Sequence, residues 1–407
     1  MKIRSITYFC NPGWPLQDKV LQSAGKFLSE ARGAFESTGY EVQSVRLASI
    51  PFPRLLGARR ITETPKLAEA LEAAIWTAGI EYACLGPALP EFPSSYPIIP
   101  EAIAAAEKVF FSGVMADARI GLSPAAVRAC AEVIVKCAPQ PPDGFANLRF
   151  AALANVQPGA PFFPAAYHEG NAPAFALATE AADLAVAAFA EAKTITEGQQ
   201  GLVAALESHV HKLVAVADLL KFRHNLHFGG IDFSLAPFPE ENKSLGAAIE
   251  QMGVTAVGLH GSLAAAAILA EAIERARFPR AGFNGLFLPV LEDAVLANRA
   301  AEGTLTVKDL LLYSAVCGTG LDTVPLPGDA TPEQVAALLL DLAALALRLD
   351  KPLTARLMPI PGKKAGEPTV FDFSYFATSR VMRLEAEAMG KAMAGKEKFR
   401  LETRRRM

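Results

Sequence analysis

Apolar positions recur along the chain with two different periods, and the switch between them marks out the predicted elements. IRSITYF (3–9) alternates and is rich in β-branched residues, which predicts a strand, while 16–39 carries apolar groups at helical spacing up to Gly39. EVQSVRLAS (41–49) predicts a second strand, so the chain opens with a β-α-β unit whose right-handed crossover makes its strands parallel. Helices at about 65–78, 97–107 and 123–138 then alternate with strands at 81–86 and 109–116, the last helix opening on Ser123 as cap and Pro124 as first helical residue. QPPDG (140–144) breaks the pattern and is the clearest candidate for an internal boundary.

Beyond it LRFAALANV (148–156) predicts a strand. QPGAPFFPAAYHEGNAP (157–173), with its prolines and aromatic residues, predicts a rigid loop that covers something. Helices are predicted at 174–193, 194–225, 243–252, 262–276, 306–313 and 331–349. Between them lie VTAVGLHG (254–261) and four apolar runs ending in small residues and isolated polar groups. These are FGGIDFSLAP (228–237), FNGLFLPVLED (283–293), YSAVCGTGLDTVPLPGD (313–329) and TARLMPIPGK (354–363). Such runs predict buried strands, and in α/β folds ligands sit at the loops where strands end. About ten strands alternate with helices, a pattern that can close as a barrel or stay open as a sheet. The expected organisation is one α/β domain over 1–390, followed by a basic tail over 391–407.

The composition, 51% hydrophobic and 20% charged over 407 residues, implies extensive burial on both faces of a sheet. A net charge of −3 gives no general attraction to nucleic acid or anionic membrane, and only the tail KAMAGKEKFRLETRRR carries a local positive excess. VAALLLDLAALALRL (335–349) contains Asp341 and is too short to span a bilayer. The five cysteines fall in no CxxC or zinc spacing, which fits a reduced, cytoplasmic protein. No Walker loop and no GxGxxG after a strand is present, so nucleotide binding is unsupported. The expected partner is a small-molecule ligand, with assembly into a homo-oligomer left open.

The ordered segments IRSIT, NLRFAALANV, PGAPFFPAAYHEG, GGIDFSLAP, LEDAV, VCGTGLDTVPLPGD and ARLMPIPGKK resemble the uncharacterised family called domain of unknown function 711, or uncharacterised protein family 0210. The resemblance runs from about Ile3 to Lys364. It implies the fold of pyruvate formate-lyase-like glycyl radical enzymes, a β/α barrel of about ten strands, and carries no established reaction. The chain departs from shorter members at VGLHGSLAAA (257–266), which holds His260, and in its longer PGAPFFPAAYH loop. Cys317 resembles the finger-loop cysteine of those enzymes. The glycine-radical motif near the carboxyl terminus is not matched, so radical chemistry is not expected.

Asp232 and Ser234 share one face of an otherwise apolar strand, where a carboxylate is costly unless it is paired or bound to metal. Asp232 is thus either a catalytic group or the structural partner of Arg4 or Arg356. His168 lies in the proline-rich loop between Tyr167 and Glu169 and is the best placed histidine for general acid/base work. Cys317 is a candidate nucleophile or a buried structural thiol. Arg356 is the candidate anion clamp, with Asn155, Ser234 and Lys363 as further substrate-binding groups. Glu292 and Asp322 end neighbouring runs and could converge on a divalent cation, the one cofactor the pattern admits. The functional expectation is an enzyme acting on a small polar or carboxylated metabolite by acid/base chemistry without a glycyl radical. The alternative is a non-catalytic metabolite-binding or regulatory protein using the same pocket.

Overall fold

The computed structural model describes residues 1–141, 143–170 and 172–403. The strands of its main sheet are β1 (Lys2–Cys10), β2 (Val45–Ser49), β3 (Tyr82–Ala88), β4 (Val109–Asp117), β5 (Gly121–Leu122), β6 (Phe150–Ala154), β7 (Ala174–Glu180), β8 (His227–Ala236), β9 (Gly320–Pro327) and β10 (Leu353–Ile360). They form one ten-stranded sheet in the order β8-β7-β1-β2-β3-β4-β6-β10-β9, with β5 beside β4. β1, β2, β3, β4 and β6 are mutually parallel. β7 and β8 form a parallel pair, as do β9 and β10, and each pair joins the central five antiparallel. One end of the sheet therefore gathers the starts of the central strands and the finishes of β7 to β10, and the other end gathers the reverse.

The opening β-α-β unit is present, with helix Asp18–Glu36 burying Leu21, Phe27, Leu28 and Phe35 against the sheet. Alternation sorts β1 cleanly: Ile6, Tyr8 and Cys10 join the core beneath the helices, while Phe9 joins a separate aromatic cluster on the opposite face. β4 and β6, on either side of the 140–144 breaker, pair directly.

Strand pairing leaves the sheet unclosed, with β8 and β9 at its edges. The run at 283–290, expected as a strand, is irregular. Asn284 has φ of 49°, and Pro289 has no N–H to give a ladder. This segment nevertheless touches both edges: Arg280 bridges Ile231, Pro289 bridges Asp322, Leu235 N donates to Gly285 O and Val290 N donates to Asp322 O.

Two further expectations change. The alanine-rich stretch 174–193 is strand β7 followed by helix Ala182–Ala190, because small residues at Ala174 and Ala176 make room for Phe163, and tertiary packing overrides helix propensity. Residues 254–261 form turns instead of a strand. Gly258 has φ of 105°, and a Cβ there would stand 1.9 Å from Thr304 O.

The proline-rich loop covers the face of the sheet opposite the helices. Phe163 packs with Phe9, Ala48, Cys84 and Ala176, and Phe162 with Val114, Leu153, Phe283 and Phe287. Thr7 Oγ1 and Cys84 Sγ donate to the loop carbonyls of Pro161 and Pro164. The face away from the helices is thus occupied by the chain's own aromatic loop. The described part of the basic tail lies against the body, where Phe399 bridges Leu122 and Arg128 donates to Gly395 O. Arg404 and Arg405 lie outside the described residues.

Candidate functional site

Charge concentrates around Arg4 at the start of β1, Asp322 near the start of β9, Arg356 in the middle of β10 and Glu292 in the segment before β9. A bulge between Ile3 and Ser5 breaks the alternation of β1 at Arg4, which pairs with Glu292 Oε2. Arg356, buried on β10, donates from Nη2 to Glu292 Oε1 at 2.7 Å and from Nε and Nη2 to the two oxygens of Asp322 at 2.5 and 3.0 Å. Glu292 and Asp322 do converge, but on guanidinium groups that occupy all four carboxylate oxygens. Among the described residues no group of three or more His, Cys, Asp or Glu side chains is placed to hold a metal ion.

Burial disfavours the charged form of both acids, and the number of cations decides the outcome. Glu292, between Arg4 and Arg356, stays below the ordinary carboxylate range, whereas Asp322, with Arg356 alone in contact and Glu292 nearby, is pushed above it. Beside this network Lys2 reaches Glu180 at 3.4 Å. Two further contacts tie the network to the aromatic loop: the Arg356 guanidinium lies 5.6 Å from the Phe162 ring centre, and that of Arg46 lies 5.2 Å from Phe163. An aromatic segment crosses beside Glu292. Phe373 and Phe376 pack on Phe145 before β6, Tyr375 packs on Phe238 after β8, and Ala377 N donates to Leu291 O.

The three residues expected to share a catalytic point make no hydrogen bond to one another among the described residues. Asp232 is a fully engaged clasp: Oδ1 accepts from the Ser234 N–H and hydroxyl and from Asn284 N, and Oδ2 accepts from Phe283 N at 2.9 Å. Burial raises its pKa against these bonds. Gly282, at φ of 74°, lets the loop close on it, since a Cβ would stand 2.1 Å from Oδ2. Asp232 is paired with backbone and Ser234, and the arginines considered for it serve Glu292 and Asp322.

His168 lies beside the ends of β1 and β2, its N–H donating to Ser49 O and its ring 6.4 Å from that of Phe9. Its Nε2 is buried without a hydrogen-bond partner, and burial lowers its pKa. Cys317 is fully buried in the helix-side core, its pKa raised by burial. Asn155, at φ of 57°, donates to Asp350 at 3.0 Å and braces the end of β6. Lys363 closes the turn after β10 through its backbone, donating to Ile360 O and accepting from Gly328 N. A cavity of about 480 Å³ among Leu311, Leu338, Asp341 and Met382 contains none of these groups, and His260 lines another of about 330 Å³.

Comparison with known families is decisive at the level of the whole chain. Residues 1–376 match the family model described as Uncharacterised ACR (DUF711). The chain belongs to this family. Within it, a UPF0210 protein of Methanopyrus kandleri is 30% identical over 371 residues, covering 86% of this chain and 82% of the relative. A UPF0210 protein of Clostridium botulinum is 27% identical over 91% of this chain and 85% of the relative. The match to a UPF0210 protein of Pyrobaculum aerophilum is 35% identical but covers 62% of this chain and 57% of the relative. The chain thus spans about three fifths of the length of the Pyrobaculum relatives it matches. In this DUF711 chain, Arg46 is the polar group that sequence reasoning overlooked. Its signal was an arginine between the apolar residues Val45 and Leu47 in the strand VRLAS.

Proposed function

We propose that this protein binds a small carboxylated metabolite at the buried network of Arg4, Arg46, Arg356, Glu292 and Asp322. The observation that carries this reading is the buried ion network itself. Apolar residues of similar volume generally stabilise a core as well as buried ion pairs do, so a network of this kind is better accounted for by ligand recognition than by stability. The fold reading goes with it: segment 279–291, hydrogen-bonded to both β8 and β9, acts as the remaining stave of a barrel similar to the glycyl radical enzymes, without radical chemistry. Five cysteines with no disulfide support a reducing, cytoplasmic setting. No helix among the described residues is long and apolar enough to cross a membrane.

Binding without catalysis is the primary reading, because Asp232 is saturated and Cys317 lies in the core. One observation favours a second reading, an acid/base step beside the ends of β1 and β2: the unpartnered Nε2 of His168, on an imidazole that burial keeps neutral. A thermal-shift screen of carboxylic-acid metabolites against their amides tests the primary reading. Acids that raise the Tm while their amides do not, in wild type and in Asp232→Asn alike, are the expected result. Stabilisation by neither series, or equally by both, contradicts it.

A further inference from the structure

We infer that Arg46 is the carboxylate anchor of this site. The inference rests on the reading of the network as a ligand site and names the group that recognises the ligand. Arg46 sits on β2 between Val45 and Leu47, which face the helix-side core, so it lies on the opposite face, in register with Thr7 and Tyr82. Its Nε donates to Ser44 Oγ at 2.8 Å. Among the described residues, its two terminal nitrogens have no hydrogen-bond partner and no carboxylate lies within salt-bridge distance. The acid nearest in sequence to its partner strand, Glu81, is engaged by Arg32 and by Val45 N.

The neighbouring acids are held by other cations. Arg4 and Arg356 hold Glu292 and Asp322, and Lys2 reaches both Glu180 and Glu41. Arg46 is half-buried and repelled by Arg4 and Arg356; burial and that repulsion lower its pKa to about 10. The planar fork is free to take a carboxylate through two parallel N–H donors, a geometry lysine does not offer. The Phe163 and Tyr82 rings, with centres 5.2 and 6.0 Å from the guanidinium, hold it in place by stacking. Ser5, on the same strand face two residues before Thr7, has a buried hydroxyl without a partner and supplies a further donor.

The test uses trifluoroacetate as probe, followed by ¹⁹F line width at constant ionic strength, with trifluoroacetamide as the neutral control. Wild type is expected to broaden the acid signal saturably and leave the amide unchanged. Arg46→Met should weaken binding at least about tenfold, and Arg46→Lys, which keeps charge but loses the fork, by a smaller factor of about threefold or more. Undiminished binding by Arg46→Met overturns the role of Arg46 while leaving the proposed ligand site intact. Absence of acid binding by wild type overturns both. Should Arg46→Met fail to fold, wild-type affinity in Arg46→Lys overturns the forked contact.

Discussion

The charged network and the Asp232 clasp handle buried polarity in opposite ways. In the network five charged groups meet, and one guanidinium is left without an acid. In the clasp a single carboxylate is held by the N–H groups of Phe283, Ser234 and Asn284 and by the Ser234 hydroxyl. The contrast shows how a buried carboxylate can be structural or functional with the same burial. A saturated group holds a loop, while a network with an unmatched charge has affinity left for a ligand.

The largest effect should come from Arg356→Met, which strands Glu292 and Asp322 in a low-dielectric site. A loss of about 3–5 kcal/mol by denaturant unfolding is expected, exceeding that of Arg4→Met, because Arg4 serves Glu292 alone and is partly exposed. Equal losses would mean the network is not centred on Arg356.

Asp232→Asn should cost less, about 1–3 kcal/mol, because an amide cannot offer acceptors at both oxygen positions to the donors now present. Trifluoroacetate binding should survive this substitution; its loss would join the two regions that the comparison separates.

The smallest effects are in pH dependence, and their signs differ by group. His168 has a lowered folded pKa, so as pH falls below the unfolded value near ~6.5 the unfolded chain takes up the proton first and stability declines until the folded value is passed. His168→Phe should remove that slope between about pH 7 and 5. Glu292 also has a lowered folded value, so its contribution is complete above the unfolded carboxylate pKa of ~4.3 and is lost at more acid pH. Asp322, with a raised value, opposes it in the adjoining window. Glu292→Gln should therefore flatten the acid limb of the unfolding profile, and an unchanged limb would show that Glu292 is not held ionised by Arg4 and Arg356.

Much of the architecture was legible in periodicity, since crossover helices and apolar strands carry strong local signals. β7 was hidden because AFALATE reads as helix; its small residues are selected by Phe163 arriving from another segment, which no local pattern displays. The run at 283–290 had a strand's composition but not its backbone, because clasping Asp232 requires the turn at Gly282–Asn284. Site residues divided similarly. Glu292 and Asp322 were recognisable as acids that could converge and Arg356 as a candidate anion clamp, yet their mutual pairing depends on a register between β9, β10 and the preceding segment. Arg46 stood between two apolar strand residues, but its free fork became apparent only once the neighbouring acids were found engaged by other cations.

The most direct test is where a carboxylate comes to rest. In crystals soaked with 4-bromobenzoate, the anomalous bromine signal should place the carboxylate against the two free nitrogens of Arg46, in the network that holds Glu292 and Asp322. A carboxylate located instead beside His168, with Arg46 still unoccupied, would contradict the assignment of the ligand site to the charged network.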